Sequence, residues 1–204
     1  MSSPQPPTER AADQARRCSA ALASLAQARG PRCGAVTIIA IDGRSSSGKT
    51  RLAGRIGPLL AAPVLHMDDL VPGWGGLAAS VDLLHDGVLA PLARGVVGWH
   101  RRWDWDADRW ASGPGAARVV PRAPLLVVEG CGAFARAVAP FVSASLWVDA
   151  PADLRRSRGL ARDPGFAPWW DVWAAQEDAH FGADGAAERA DLVLDRTILP
   201  ADED

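Results

Sequence analysis

The hydrophobic pattern of the chain alternates between short apolar runs and longer amphipathic stretches. Residues 35–41 form a continuous apolar run rich in β-branched side chains, which is typical of a strand buried on both faces of a parallel sheet. Further strands are predicted at residues 63–67, 125–128, 145–148 and 191–194. Helices are predicted at residues 9–29, 50–60, 133–139, 152–161 and 168–180. This alternation indicates an α/β fold built on a parallel sheet flanked by helices.

One connection between predicted strands is much longer than a crossover needs. Residues 70–123 lie between two strands, where about 10–12 residues would suffice. Five of the nine tryptophans lie there, at positions 74, 99, 103, 105 and 110. We therefore predict one domain, residues 9–204, with an acceptor-binding insertion at 70–123 and a disordered Pro- and Ser-rich tail at 1–8. The alternative for the insertion is a small packing lobe that binds nothing.

Composition excludes several classes of protein. A net charge of −2 argues against a protein that coats nucleic acid, and no apolar run approaches the ~18 residues of a membrane span. No two of the three cysteines are spaced as Cys-x-x-Cys, so neither a disulfide framework nor a zinc site is expected. A reducing cytoplasm is the simplest location for such a chain.

A glycine-rich segment follows the first predicted strand. Gly43-x-x-x-x-Gly48-Lys49-Thr50 matches the phosphate-binding loop pattern, and it lies between a strand and a helix as that pattern requires. Glycines let backbone N–H groups point at phosphate oxygens, and the helix N-terminus favours an anion. The alternative is a flexible turn. The predicted nucleotide contacts are Gly43, Ser45, Ser46, Ser47, Gly48, Lys49 and Thr50.

Lys49 is the only lysine in the chain, since 21 of the 22 basic Lys and Arg residues are arginines. A guanidinium is planar and wide, whereas a loop around phosphates needs a compact charge on a flexible stem. We therefore expect Lys49 to contact the β- and γ-phosphates of ATP and Thr50 to offer its hydroxyl to Mg²⁺.

Three carboxylates follow the ends of predicted strands. Because the carboxyl ends of parallel strands face the ligand crevice, Asp68 is expected near the γ-phosphate, as a general base or an Mg²⁺ ligand. The alternative role of Asp68 is a helix cap. For Asp69, a site residue and a helix cap are the two open interpretations. Glu129 is predicted to hold Mg²⁺, with an ion pair to an arginine as its alternative.

Arginines at 155, 158 and 162 share one helix face by their spacing. We predict a short lid at residues 155–166 that closes on the transferring phosphates, against the alternative of a solvated basic face. In the insertion, Trp103 and Trp105 would face the same way if residues 101–106 form an extended strand, and their indoles could stack on a base or sugar. Packing of these indoles in the insertion's own core is the alternative. The predicted acceptor contacts are Asp69, Trp74, Arg102, Trp103, Asp104 and Trp105.

The chain lacks the marker residues of the other classes of phosphate-loop protein. A GTPase needs Asn-Lys-x-Asp and a transporter ATPase needs Leu-Ser-Gly-Gly, and the sequence contains neither motif. A motor ATPase usually ends its second catalytic strand with paired acids, whereas the strand predicted at 125–128 is followed by Glu129 alone. The loop, His-Met-Asp-Asp-Leu at 66–70, Val-Val-Glu-Gly at 127–130 and the Arg-x-x-Arg-x-x-x-Arg-Asp run at 155–163 together resemble the uridine kinase/phosphoribulokinase family, in its uridine kinase-like branch.

The resemblance implies a five-stranded parallel sheet in the order 2-3-1-4-5. It also implies Asp68 as the base, Glu129 with Thr50 on Mg²⁺, and Arg158 and Arg162 as lid arginines. The implied activity is ATP- and Mg²⁺-dependent phosphorylation of a small-molecule hydroxyl, most simply that of a nucleoside. The alternatives are a natural-product or antibiotic hydroxyl, and a nucleotide-binding switch protein without catalysis. A homodimer is possible, and neither nucleic acid nor membrane is an expected partner.

Overall fold

The computed structural model of the chain describes residues 7–121 and 123–196. Residues 1–6 of the predicted tail therefore lie outside the described residues, and the first helix, α1 (Pro7–Arg29), begins two residues before Glu9. No helix in the described part of the chain is long and apolar enough to cross a membrane.

The described residues form nine strands and seven α-helices. The strands are β1 (Thr37–Asp42), β2 (Val64–His66), β3 (Trp99–Arg101), β4 (Trp103–Asp104), β5 (Arg109–Trp110), β6 (Ala117–Val119), β7 (Leu125–Glu129), β8 (Val142–Asp149) and β9 (Leu192–Asp195). After α1, the helices are α2 (Lys49–Leu59), α3 (Leu77–Leu84), α4 (Ala90–Ala93), α5 (Ala152–Arg162), α6 (Trp170–Asp184) and α7 (Ala186–Arg189).

Five strands form one parallel sheet in the order β2-β7-β1-β8-β9. Numbered among themselves along the chain, they have the predicted order 2-3-1-4-5. All five predicted strands are present, each within three residues of its predicted bounds. The predicted α/β fold is confirmed.

The central strand β1 explains where the core lies. Ile38 and Ala40 belong to the hydrophobic cluster on one face of the sheet, and Ile39 and Ile41 belong to the cluster on the other, all fully buried. Helices α1 and α2 cover the second face. A strand with both faces covered needs apolar side chains at every position, which is the pattern of residues 35–41.

The predicted helix at residues 133–139 is wrong. The segment is a series of tight turns in which the N–H groups of Ala133 and Ala135 bond to carbonyls three residues before them, and a 3₁₀ helix follows at Ala139–Phe141. Gly132, directly before the segment, has a φ of 85°, a left-handed conformation typical of tight turns. The alanine-rich composition was a local signal that this turn geometry overrides.

The insertion has its own secondary structure and packs on the main core. It contains α3, a π-helical turn at His85–Leu89, α4 and two short antiparallel ribbons, β3 with β6 and β4 with β5. Leu84 and Leu89 belong to the same buried cluster as Ile38 of β1. The insertion therefore covers the face of the sheet that α1 and α2 leave open.

Candidate active site

The loop between β1 and α2 has the backbone shape of an anion-binding site. Gly43 has a φ of 143°, and a Cβ there would lie 2.2 Å from the carbonyl oxygen of Val148. Ser46 and Gly48 also have positive φ values, 61° and 92°. Such a reversal of the chain turns successive N–H groups toward one centre. The buried Oγ atom of Ser46 has no hydrogen-bond partner among the described residues, so the loop fits a ligand rich in acceptor oxygens.

A cavity of about 400 Å³ lies between this loop, the end of β2 and helix α5. It brings together most of the residues predicted for the nucleotide and the catalytic groups. Its lining residues are Ser45, Ser46, Gly48, Lys49, Thr50, Arg51, Asp68, Arg158, Ala161 and Arg162. Gly43 and Ser47 also belong to the loop, but they are buried and lie outside this lining.

Lys49 is the first residue of α2 and is only 6% exposed. Its Nζ donates a hydrogen bond to the carbonyl oxygen of Arg44, at 3.3 Å. Burial alone would lower the pKa of Lys49, but the surrounding acidic groups, which include Glu129, Asp68 and Glu177, raise it above its ordinary value. The ammonium therefore stays charged throughout the physiological pH range.

Thr50 and Glu129 meet as the magnesium prediction requires. The Thr50 hydroxyl donates to Oε2 of Glu129 at 3.2 Å, and Glu129 is 2% exposed. The partner of its other oxygen is Nδ1 of His66, at 2.5 Å, a contact that the sequence did not indicate. The bond to Glu129 is the main reason that the pKa of His66 is raised.

One hydroxyl and one carboxylate suit Mg²⁺, which usually takes one or two protein carboxylates and completes its shell with water and phosphate oxygens. Among the residues that the structure describes, no group of three or more His, Cys, Asp or Glu side chains is placed to hold a metal. Thr50 and Glu129 are thus the residues that would hold Mg²⁺ together with the nucleotide. Bound there, the ion would neutralise phosphate charge.

Asp68 lies in the 3₁₀ turn Met67–Asp69 that follows β2, and its side chain is open to the cavity. The cavity walls withdraw the carboxylate partly from water and raise its pKa; Lys49 opposes this shift and Glu129 adds to it. The indole N–H of Trp105 donates to the backbone carbonyl of Asp68 at 3.0 Å. Asp69 lies outside the cavity lining, 3.6 Å from Arg118 across an ion pair.

Glu177 stabilises the loop through its backbone, a role that the sequence analysis did not assign. It is 1% exposed. Its Oε1 accepts from the N–H of Ser45 at 2.5 Å and from the indole N–H of Trp173 at 2.9 Å, and Arg155 lies 3.3 Å from Oε2. The available signal was a carboxylate on the helix face that carries Trp173 and Phe181, four residues away on each side along α6.

Asp42 is a second loop-supporting carboxylate that the sequence analysis missed. Its two oxygens accept from the N–H groups of Gly43, Gly132 and Phe134 at 2.7, 3.0 and 2.8 Å. Burial raises the pKa of Asp42 to about 7, against the effect of these bonds and of Lys49. The residue ties the loop to the segment after β7. An acid at the end of a buried strand, directly before a glycine, was the signal.

Helix α5 separates the three predicted lid arginines by role. Arg158 and Arg162 line the cavity, whereas Arg155 is buried and bonds to the carbonyl of Ala150 and to Glu177. Gly159 allows α5 to approach the loop closely, since a Cβ there would lie 2.9 Å from Oγ of Ser46. One arginine of the basic face is therefore structural, and the other two line the cavity.

The tryptophans predicted to pair in the insertion lie apart. Strand β4 ends at Asp104, and Trp105 lies in the following turn. Trp103 packs edge-to-face on Trp110 with ring centroids 5.1 Å apart, while Trp105 contacts Trp74 at 4.8 Å.

The two polar residues predicted beside these indoles take part in the insertion's own structure. Oδ1 of Asp104 accepts from the N–H of Ala107 and so stabilises the turn. The backbone N–H of Arg102 donates to the carbonyl oxygen of Ala116. Neither residue lines the cavity at the loop.

No protein-family model and no curated protein matches the chain. Solved structures do match. A possible uridine kinase from Bacillus stearothermophilus is 20% identical, with a TM-score of 0.64, over 90% of this chain and 98% of that one. The chain has the fold of the P-loop kinases.

A second solved structure also matches the fold of the chain. A proposed fructose transport system kinase from Silicibacter sp. TM1040 is 18% identical, with a TM-score of 0.56, over 86% of this chain and 98% of that one. Similarity at such identities is a similarity of fold. At that level the resemblance indicated by the motifs is confirmed, and the reaction has to be argued from the site.

Proposed function

We propose that the protein is an ATP- and Mg²⁺-dependent phosphotransferase that acts on a hydroxyl group of a small molecule. The observation that carries this proposal is one cavity that combines a buried ammonium, two arginines and an open carboxylate: Lys49, Arg158, Arg162 and Asp68. Phosphoryl transfer needs positive groups around the transferring phosphate and a proton acceptor beside the attacking oxygen. A protein that only binds nucleotide would need the first set and not the second.

In the proposed reaction the acceptor oxygen attacks the γ-phosphorus, and the bond from that phosphorus to the β–γ bridging oxygen breaks. The hydroxyl proton passes to the carboxylate of Asp68, so the products are ADP and the phosphorylated acceptor. Lys49 and the lid arginines Arg158 and Arg162 stabilise the charge on the transferring group. Helix α5, held against the loop at Gly159, limits the access of water.

The resemblance of the motifs favours a nucleoside as the acceptor. A natural-product hydroxyl is the second candidate, and one observation favours it: Trp103 and Trp105 contact different partners and form no joint stacking surface for a base. A cytoplasmic location and assembly with a second copy of the chain remain predictions.

The test is ADP release from ATP, measured with a panel of nucleosides, nucleotides, sugars and aminoglycosides. Turnover that depends on one acceptor class, and that is absent in Lys49→Ala prepared in parallel, supports the proposal. ATP turnover that is the same with and without any acceptor would favour the switch or ATPase alternative.

A further inference from the structure

A second cavity, of about 330 Å³, lies where the insertion meets the end of α5. Its walls combine indole rings with carboxylates. The lining residues are Trp74, Trp105, Asp106, Asp108, Asp163, Gly165 and Trp169. We call it the acidic aromatic cavity.

The acidic aromatic cavity adjoins the cavity at the loop after β1 at two points. Trp105 lines the former, and its indole N–H bonds to the carbonyl of Asp68, which lines the latter. Arg162 and Asp163 are consecutive residues that line one cavity each. A small molecule whose hydroxyl lies at Asp68 would therefore extend toward the indoles.

The three carboxylates of this cavity have no close basic partner in the part of the chain that the structure describes. No ion pair within 4.0 Å involves Asp106, Asp108 or Asp163 in the described ranges 7–121 and 123–196. One oxygen of Asp163 accepts from the N–H of Gly165 at 2.9 Å, which fixes it at the rim. Like charges gathered around one cavity repel each other, and a cation inside it offsets that repulsion.

The aromatic walls favour the same kind of ligand. Trp74 stacks on Trp169 with rings 6° from parallel, and Trp169 leaves 42% of its surface exposed beside the carboxylates. The face of an indole attracts a cation, and such faces recognise ammonium ligands in other proteins. Carboxylates and indole faces around one cavity are chemically matched to a positively charged amine.

We propose that the acidic aromatic cavity binds a positively charged amino or quaternary ammonium group of the acceptor. This inference rests on the proposed function for the identity of its ligand as the acceptor. The two cavities then have opposite charge: basic residues hold the anionic nucleotide, and acidic residues hold the cationic acceptor. Complementary charge of this kind orients two substrates and disfavours the wrong occupant of each site.

The test uses choline and its neutral isostere 3,3-dimethylbutan-1-ol, which share shape and hydroxyl and differ in charge. Binding of each to the full chain is measured by calorimetry and by tryptophan fluorescence, in the presence of a non-hydrolysable ATP analogue. We expect choline to bind at least about tenfold more tightly, in line with the strength of cation–π and ion-pair contacts. The double substitution Asp106→Asn with Asp108→Asn should abolish that preference, and Trp169→Leu should reduce it.

Asp86→Asn is the matched control, since it removes an exposed carboxylate elsewhere in the insertion and should leave the preference unchanged. Equal affinity for the two probes, or a preference that survives the double substitution, would overturn the inference. The assay contains no phosphoryl transfer. A charge preference in a protein that phosphorylates nothing would therefore refute the proposed function and leave the cation site standing.

Discussion

Glu177 accepts a hydrogen bond of 2.5 Å from the backbone N–H of Ser45, which lies 132 residues earlier in the chain. The same carboxylate is paired with Arg155 of α5. One buried side chain therefore joins the loop after β1, helix α5 and helix α6. The shape of the loop depends on its own glycines and also on this contact from the far end of the chain.

The first prediction concerns this contact. Glu177→Gln keeps an oxygen that can accept from Ser45 but leaves Arg155, whose side chain is 8% exposed, without its charge partner. Breaking a buried pair in this way costs about 3 kcal/mol or more. We expect urea denaturation to show a loss of that order, together with weaker ATP binding.

Asp178→Asn is the control for Glu177→Gln. Asp178 is the next residue, with a side chain that is 71% exposed and paired with Arg44. Exposed pairs contribute roughly 0–1 kcal/mol, so its loss should be hard to detect. Equal destabilisation by the two substitutions would contradict the role given to Glu177.

The second prediction concerns the shape of the charge at Lys49. Both Lys49→Ala and Lys49→Arg should lower turnover by roughly 10²-fold or more, because the site is 6% exposed and a planar guanidinium does not reproduce a compact ammonium. Steady-state ADP release measures this effect. Arg55→Ala, further along α2, should retain activity. Near-normal turnover of Lys49→Arg would show that charge alone suffices.

The third prediction separates Asp68 from its neighbour. Asp68→Asn should lower the rate of phosphoryl transfer by roughly 10²–10⁴-fold, the usual contribution of a positioned base, and leave ATP affinity within about twofold. Asp69→Asn, which removes the ion pair with Arg118 outside the cavity, should have little effect on the rate. Parallel losses of rate and ATP affinity in Asp68→Asn would instead make Asp68 a metal-binding or structural residue.

The fourth prediction concerns the approach of α5 to the loop. An added Cβ at Gly159 would lie 2.8 Å from the ring of Trp170 and 2.9 Å from Oγ of Ser46. Gly159→Ala should therefore destabilise the protein by about 1–3 kcal/mol through overpacking and raise the KM for ATP. Thermal unfolding and ADP release measure the two effects.

Gly182→Ala is the control for Gly159→Ala. Nothing lies within 4 Å of a Cβ at Gly182, in helix α6, so there alanine should be neutral or stabilise by up to about 1 kcal/mol. A Gly159→Ala protein as stable as Gly182→Ala would mean that α5 stands further from the loop than the structure has it.

The fifth prediction concerns pH and the contact that joins α1 to the segment before β9. Burial alone would raise the pKa of Asp191, but bonds from Arg29 and Ser145 more than offset it and lower the pKa. The folded protein then binds fewer protons at Asp191 than the unfolded chain does. Its contribution to stability is present above the ordinary carboxylate pKa of ~3.9 and is lost as the pH falls through the lowered value.

Asp191→Asn should accordingly cost about 1–2 kcal/mol near neutral pH and less in acid, so that its curve approaches that of the unsubstituted protein as the pH falls. Denaturation between about pH 3 and 7 measures this convergence. Asp82→Asn, at an exposed position of α3, controls for the loss of one charge. A cost that is the same at every pH would place the effect of Asp191 in packing rather than ionisation.

The sequence by itself determined the five sheet strands, the loop from Gly43 to Gly48 and the helix that begins at Lys49, because apolar runs, glycines and a lone lysine are local signals. It also placed Asp68 and Glu129 at the ends of two neighbouring strands, since the carboxyl ends of parallel strands share one edge of the sheet, and their roles stay predictions. These predictions needed no knowledge of which distant residues touch.

Only the tertiary structure decided the rest. Asp42 and Glu177 support the loop through partners up to 132 residues away, and no spacing along the chain reports such contacts. Arg155 differs from Arg158 and Arg162 because the first turn of α5 places its arginine in the core, whereas the later turns place theirs at the cavity. The acidic aromatic cavity likewise forms only where the insertion meets the end of α5, because its carboxylates and indoles come from segments that are far apart in the chain.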